Sequence, residues 1–206
     1  GALMAGHKVI GIDKSTAVIS SLKSGKSHIE GISDSVIADG VSSGALRVSD
    51  AYTPVSEADV VVIAVPTPLD EKGSADLSLL KSAAKSLGEV LKNPKLIINE
   101  STSYPGTLRE IIKPLIDEGS NQSHLYAISP ERVDPGNKSY GVKNTPRVVG
   151  GLSDQARDAA VAFYKSFCDE VVPVSSAEVA EAAKLFENTF RFINIGLVNE
   201  FAEIMS

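Results

Sequence analysis

Cysteine is all but absent from this chain of 206 residues: Cys168 stands alone. Neither an intramolecular disulfide nor a cysteine-based metal cluster can be assembled from one thiol, and no metal is expected. Its surroundings, AFYKSFCDEVV, are apolar, hold no histidine and offer no electropositive setting, so Cys168 reads as a packing residue rather than a nucleophile. An excess of positive charge is lacking too. The 20 Lys and Arg stand against 26 Asp and Glu and are spread along the chain, which excludes the basic stripe of a nucleic-acid partner. A phosphate-bearing small ligand needs only local positive charge and remains compatible with the net charge of −6. No apolar run approaches the roughly 18 residues of a membrane helix. The N-terminus has no charged segment followed by a hydrophobic one and a cleavage site, so a cytoplasmic protein with no membrane partner is expected. Repeats of fixed period and low-complexity tracts are likewise missing. What remains, 43% hydrophobic and 22% charged, is the profile of a globular protein of one large or two small domains.

Apolar runs alternate with amphipathic ones in a regular beat, the mark of parallel strands joined by crossover helices, so the fold class is α/β. Strands are predicted at 8–13 (KVIGID), 45–49, 59–66 (DVVVIAVP), 95–101 (KLIINES), 124–130, 147–151 and 170–175. Several are continuously apolar, as strands covered by helices on both faces are. Helix starts are signalled by Ser15, Asp76, the pair Gly106 and Thr107, and Ser153, each ahead of an amphipathic run. The stretch 131–146, ERVDPGNKSYGVKNTP, has no period and reads as a long functional loop. From Ala177 the chain reads as one long helix, apolar around most of its circumference, and further chain or another subunit is expected to cover it.

Three strand ends carry the chemistry. KVIGID ends in Asp13, placed to accept hydrogen bonds from an adenosine ribose at the end of the second strand of a dinucleotide-binding unit. Only GALMAGH precedes that strand, so the companion G-x-G-x-x-G loop is absent, and those seven residues read as the end of a helix. A helix-cap or turn role for Asp13, followed by Lys14, is the competing reading. In VPTP at 65–68 two prolines hold the chain extended at the sheet's carboxyl edge, where open α/β sheets bind ligands. ESTSYPGT at 100–107 repeats the design, and its hydroxyls and helix-start amides are expected to line the same crevice as Thr67 and Asp13 for ribose or phosphate groups. SPERVDPGN at 129–137 adds Glu131 and Arg132. In the last helix Glu181, Lys184, Asn188 and Arg191 fall three or four residues apart and form one polar stripe. The alternative is a solvated face with Glu181 and Lys184 paired.

In this order GHKVIGID, VPTPL followed by DLS, ESTSYPGT, SPERVDPGN and AEAAKLFENTFRFINIGLVNE resemble the UDP-glucose/GDP-mannose dehydrogenase family over essentially the whole chain. SPERVDPGN followed by NTPRVVGG is most similar to the branch acting on UDP-N-acetylhexosamines, UDP-N-acetylglucosamine 6-dehydrogenases especially. The resemblance implies a Rossmann-like, doubly wound, mostly parallel sheet at 1–175 and the start of a central dimerisation or linker helix at 176–206. It implies NAD as cofactor, a UDP-sugar as substrate and a homodimer through the C-terminal helix. The implied reaction oxidises the sugar C6 hydroxymethyl to a carboxylate in two hydride transfers, by way of an aldehyde-level species and a cysteine thioester. Carried onto this sequence, the resemblance puts Asp13 on the adenosine ribose with Lys14 nearby, and Val65, Pro66, Thr67, Ser101 and Thr102 along the cofactor. Thr102 would also orient water, and Glu131 would take a proton from water in thioester hydrolysis. Lys184 would stabilise an alkoxide or oxyanion, with Asn188 supporting the same oxygen. Glu131, Arg132, Lys184, Asn188 and Arg191 are the implied substrate contacts.

The chain departs from the family's pattern in three places. It has no first strand with a glycine-rich loop, no later glycine-rich motif with the nucleophilic cysteine, and Pro135 where the UDP-glucose branch carries a second glutamate. The last argues against plain UDP-glucose as substrate. Cys168 precedes the Lys184 helix and does not replace the nucleophile. Without a first strand, the strands at 8–13 and 59–66 are expected to pair directly, to pair with another chain or to border a gap. By itself the chain is expected to bind NAD weakly and not to turn over UDP-sugars. Two other readings stay open: a truncated module that dimerises through its last helix without catalysis, and a hydroxyacid dehydrogenase with a Lys-Asn site, which leaves SPERVDPGN without a reason.

Overall fold

The computed structural model describes residues 1–29, 31–133 and 139–205. Along them run β1 Val9–Ile12, α1 Thr16–Lys23, α2 Asp34–Ser42, β2 Leu46–Ser49, β3 Val60–Ile63 and α3 Ser78–Val90. They continue with β4 Leu96–Asn99, α4 Lys113–Ser120, β5 Leu125–Ile128, β6 Arg147–Gly151, α5 Asp154–Lys165, β7 Val171–Pro173 and α6 Ala177–Met205. All seven strands lie where the apolar runs predict them. Two of the four expected helix starts carry a side-chain cap: Ser15 Oγ accepts the N–H of Val18 at 3.4 Å, and Ser153 Oγ that of Ala156 at 3.1 Å. Each satisfies a donor that a helix start leaves without an intrahelical acceptor. Ahead of α4 the helix opens with a widened π turn, Leu108–Ile112, which accommodates Pro114, a residue without the N–H of a regular turn. The residues before β1 form a short 3-10 turn, Leu3–Ala5, closed by Gly6 in the left-handed region at φ 87°.

Strands β3, β4 and β5 are parallel neighbours, with Val60 opposite Leu96 and Leu96 opposite Leu125. β6 then runs antiparallel to β5, and β7 parallel to β6. The reversal follows from the connection: between β5 and β6 no helix is found among the described residues, so the chain turns back instead of crossing over. β1 and β2 make a separate parallel pair, and among the described residues no ladder joins β1 to β3. Of the arrangements expected for these two strands, direct pairing is thus not the one found.

The continuous apolar runs feed two layers. Ile97, Tyr126 and Ile128 face a core formed with Leu80, Ala84, Leu87 and Leu91 of α3 and its end, Ile116 of α4 and the first turn of α6. Leu96, Ile98 and Ala127 face the other side, where Ala160 and Tyr164 of α5 meet Cys168. Cys168 is thus a packing residue, its thiol pushed up by burial.

Helix α6 is seated by a close backbone approach. A Cβ at Gly150 of β6 would lie 2.4 Å from the Ser176 carbonyl oxygen and 2.9 Å from Ala177 Cα. Because both neighbours are backbone, Gly150→Ala must displace the start of α6. We expect a loss of about 1–3 kcal/mol in urea denaturation; an unchanged midpoint would show that α6 is not pressed against β6.

Candidate active site

At the end of β1, Asp13 Oδ1 accepts the N–H of Ser15 at 2.7 Å, a turn that leads into α1. Lys14 Nζ donates to Ser82 Oγ of α3 at 3.2 Å, which places this strand end beside α3. Past β3 the chain leaves the ladder, and Val65 is held by Ser101 instead. The Ser101 hydroxyl accepts the Val65 N–H at 2.9 Å and donates to the Val65 carbonyl at 2.8 Å. Asn99 fixes Ser101 further, its Nδ2 donating to the Ser101 carbonyl at 3.1 Å and its Oδ1 accepting the Ser101 N–H at 3.2 Å. Beyond this clamp Pro66 is exposed, and Thr67 and Thr102 are half-buried.

The other flank of Thr102 is held from α6. Glu181, only 1% exposed, accepts the Ser103 hydroxyl at 3.3 Å and the Leu108 N–H at 3.0 Å on Oε1, and the Gly106 N–H at 2.6 Å on Oε2. Burial pushes its carboxyl above the ordinary range even against these donors. Nearby on the surface Arg109 donates to Glu178 at 2.7 Å, and that hydrogen bond holds the Glu178 carboxyl down at about 2.

One expectation and one competing reading are corrected here. The amides at this helix start do not line the crevice for ribose or phosphate, because a carboxylate of the same protein already occupies those of Gly106 and Leu108. Nor do Glu181 and Lys184 pair: Glu181 turns into the fold, and among the described residues no carboxylate pairs with the half-buried Lys184. The polar stripe divides accordingly, with Asn188 and Arg191 exposed and Arg191 standing 3.9 Å from Glu187.

Past β5, Glu131 Oε1 accepts the N–H groups of Arg132 and Val133 at 2.7 and 2.8 Å, and Oε2 accepts from Arg147 at 2.5 Å. Burial pushes this carboxyl up, but Arg147 and the two N–H groups outweigh it and bring it below the ordinary range. Arg132 reaches Glu187 of α6 at 2.8 Å and the Pro146 carbonyl at 3.0 Å. Pro135, with the rest of 134–138, lies outside the described residues.

Sequence reasoning missed Glu100, Arg147, Tyr164 and Glu187. Arg147 is buried and donates to Glu100 at 2.6 Å as well as to Glu131, with its guanidinium 4.5 Å from the centre of the Tyr164 ring. The Tyr164 hydroxyl donates to the same Glu100 oxygen at 2.6 Å. The one available signal was a charge opening an otherwise apolar strand.

Residues 2–168 match the model of the UDP-glucose/GDP-mannose dehydrogenase family, NAD binding domain. The chain belongs to this family. It is 36% identical over 202 residues to the UDP-N-acetyl-D-mannosamine dehydrogenase of Pyrococcus horikoshii, covering 96% of this chain and 48% of the relative. The UDP-N-acetyl-D-glucosamine 6-dehydrogenase of Pseudomonas aeruginosa is 36% identical over 157 residues, covering 74% of this chain and 37% of that protein. Among solved structures, the Pyrococcus horikoshii UDP-D-ManNAc dehydrogenase superimposes with a TM-score of 0.90 at 34% identity, over 98% of this chain and 49% of that one. A ternary complex of GDP-mannose dehydrogenase from Pseudomonas aeruginosa gives 0.87 at 26% identity, over 97% and 49%. The chain spans about half the length, or less, of these relatives. As a member of this family's NAD-binding domain it has the α/β, mainly parallel sheet those structures share. No helix among the described residues is long and apolar enough to cross a membrane.

Proposed function

We propose that this chain is the cofactor-side part of an NAD-dependent dehydrogenase that oxidises the C6 hydroxymethyl of a UDP-N-acetylhexosamine to a carboxylate. The observation that carries the reading is the convergence of two strand ends on one helix. Glu181 ties the Thr102 loop to α6, Glu187 ties Arg132 to it, and α6 bears Lys184. The N-acetylhexosamine is supported by the names of the relatives.

The donor set fits the two ends of NAD. Asp13 offers a carboxylate oxygen to the adenosine ribose with Lys14 beside it, while Val65, Pro66, Thr67, Ser101 and Thr102 border the nicotinamide side, Ser101 by shaping the turn. When bound, NAD supplies the hydride acceptor. Lys184, whose ammonium has no carboxylate partner among the described residues, stabilises the negative charge on the C6 oxygen, and Asn188 donates to the same oxygen from one turn on. Thr102 orients water. Glu131, kept ionised by Arg147, accepts a hydrogen bond from the water that hydrolyses the acyl intermediate. Arg132 and Arg191, either side of Glu187, contact the substrate.

In this reading residues 1–175 form the NAD-binding unit and 176–206 the start of a linker helix. From Phe186 on, α6 exposes Phe190, Phe192, Ile193, Val198 and Phe201, a face suited to burial in a homodimer. The composition supports a cytoplasmic location.

The test uses the full-length protein with NAD and, in turn, UDP-N-acetylglucosamine, UDP-N-acetylmannosamine and UDP-glucose. We expect two NADH per sugar oxidised and a preference for an N-acetylhexosamine. Absence of NADH with all three, in a protein that binds NAD, overturns the reading.

A further inference from the structure

We propose that Glu181 is a positioning residue of the reaction centre, setting the placement of Thr102 relative to Lys184. The inference rests on the roles proposed above for those two residues. Thr102 sits between two serines, each with a separate anchor. Ser101 is held by Val65 and Asn99 within the sheet, whereas Ser103 is held by Glu181 from a helix that begins 74 residues later in the chain. The same carboxylate takes the N–H groups of Gly106 and Leu108, so the segment from Ser103 to Leu108 is bound at three points to a single side chain. Lys184 lies three residues further along α6, one turn away on the same side of the helix. One buried carboxylate therefore grips the hydroxyl loop directly and carries the lysine through less than one turn of rigid helix.

The chemistry of the clamp demands a carboxylate. Three donors converge on two oxygens, all of which an ionised glutamate accepts and a glutamine does not, since its NH2 group would face a backbone N–H. Glu181→Gln keeps the volume of the side chain and loses the grip. Loop and helix then separate by the fraction of an ångström that matters where two groups must meet one reacting carbon.

In the full-length enzyme, Glu181→Gln is expected to lower kcat for NADH formation, normalised to the folded fraction measured by circular dichroism, by about 100-fold, while the KM values for NAD and the UDP-sugar stay within about twofold of wild type, a pattern that loss of binding does not produce. Glu181→Asp, which retains charge on a shorter arm, should recover part of kcat. A folded Glu181→Gln enzyme with wild-type kcat overturns the proposal, as does one whose loss lies in KM alone. Should Glu181→Gln fail to fold, Ser103→Ala decides: a kcat reduced several-fold with both KM values held supports the clamp, and a wild-type kcat overturns it. Lys184→Ala, assayed alongside, separates this proposal from its basis. If that variant keeps its turnover, the reading of the reaction centre falls and this proposal with it; if it loses turnover while Glu181→Gln and Ser103→Ala do not, only the positioning role fails.

Discussion

Replacing Arg147 with Met is expected to destabilise the fold by about 3–5 kcal/mol. The guanidinium is buried and bridges carboxylates from the ends of two strands, Glu100 after β4 and Glu131 after β5. Its removal strands the Glu100 carboxylate, which is 17% exposed, without a cation, and leaving a charge uncompensated is what makes breaking such a network costly. Arg147→Lys should recover only part of the loss, because an ammonium neither spans two carboxylates in one plane nor stacks on Tyr164 as the guanidinium does at 4.5 Å. Adding Glu100→Gln to Arg147→Met should restore stability relative to Arg147→Met alone, since it removes the orphaned charge.

The pH dependence of this network has a definite sign. The folded-state carboxyl of Glu131 stands below its ordinary value, so its contribution is present above the ordinary carboxylate range and is lost as the pH falls through the lowered folded value. Arg147→Met should flatten that part of the profile. Urea denaturation at several pH values checks both statements. A loss below about 1 kcal/mol, within the range of an exposed pair, would show that the network is not buried in effect.

The second large effect is on chemistry. Lys184→Ala in the full-length enzyme is expected to lower turnover by about 100- to 1,000-fold, the scale set by removing a donor aimed at a developing oxyanion. The fold should lose little, because the side chain is half-buried and no carboxylate pairs with it among the described residues. This contrast with Arg147 separates a group that holds the fold from one that acts on substrate. Steady-state NADH formation, with thermal unfolding as the control, measures it. Near-normal turnover would remove Lys184 from the proposed site.

Elements with a local signal were legible. The runs at 95–101 and 124–130 stand out because strands covered on both faces are apolar at every position, and Ser15 and Ser153 are readable because a cap acts within one helical turn. Helix α2 escaped because Gly40 interrupts its pattern. A Cβ there would meet the Leu3 side chain at 2.8 Å and Leu46 Cβ at 3.1 Å, so packing against β2 selects a poor helix former. The antiparallel β6 escaped because strand direction depends on what joins β5 to β6, and a run of five residues carries no direction of its own.

The sequence by itself determined the order of the strands and of the helices other than α2, the strand ends that gather polar groups and membership of the dehydrogenase family. Those rest on periodicity and motif, which are written over neighbouring residues. Only the tertiary structure decided which polar groups serve the fold and which remain open to a ligand. The partners are 36 residues apart for Ser101 and Val65, 47 for Arg147 and Glu100, and 78 for Ser103 and Glu181. Glu181 and Lys184 looked equivalent on one stripe. Their fates parted because the buried amides of Gly106 and Leu108 need an acceptor: a carboxylate satisfies them, and an ammonium has only donors to offer.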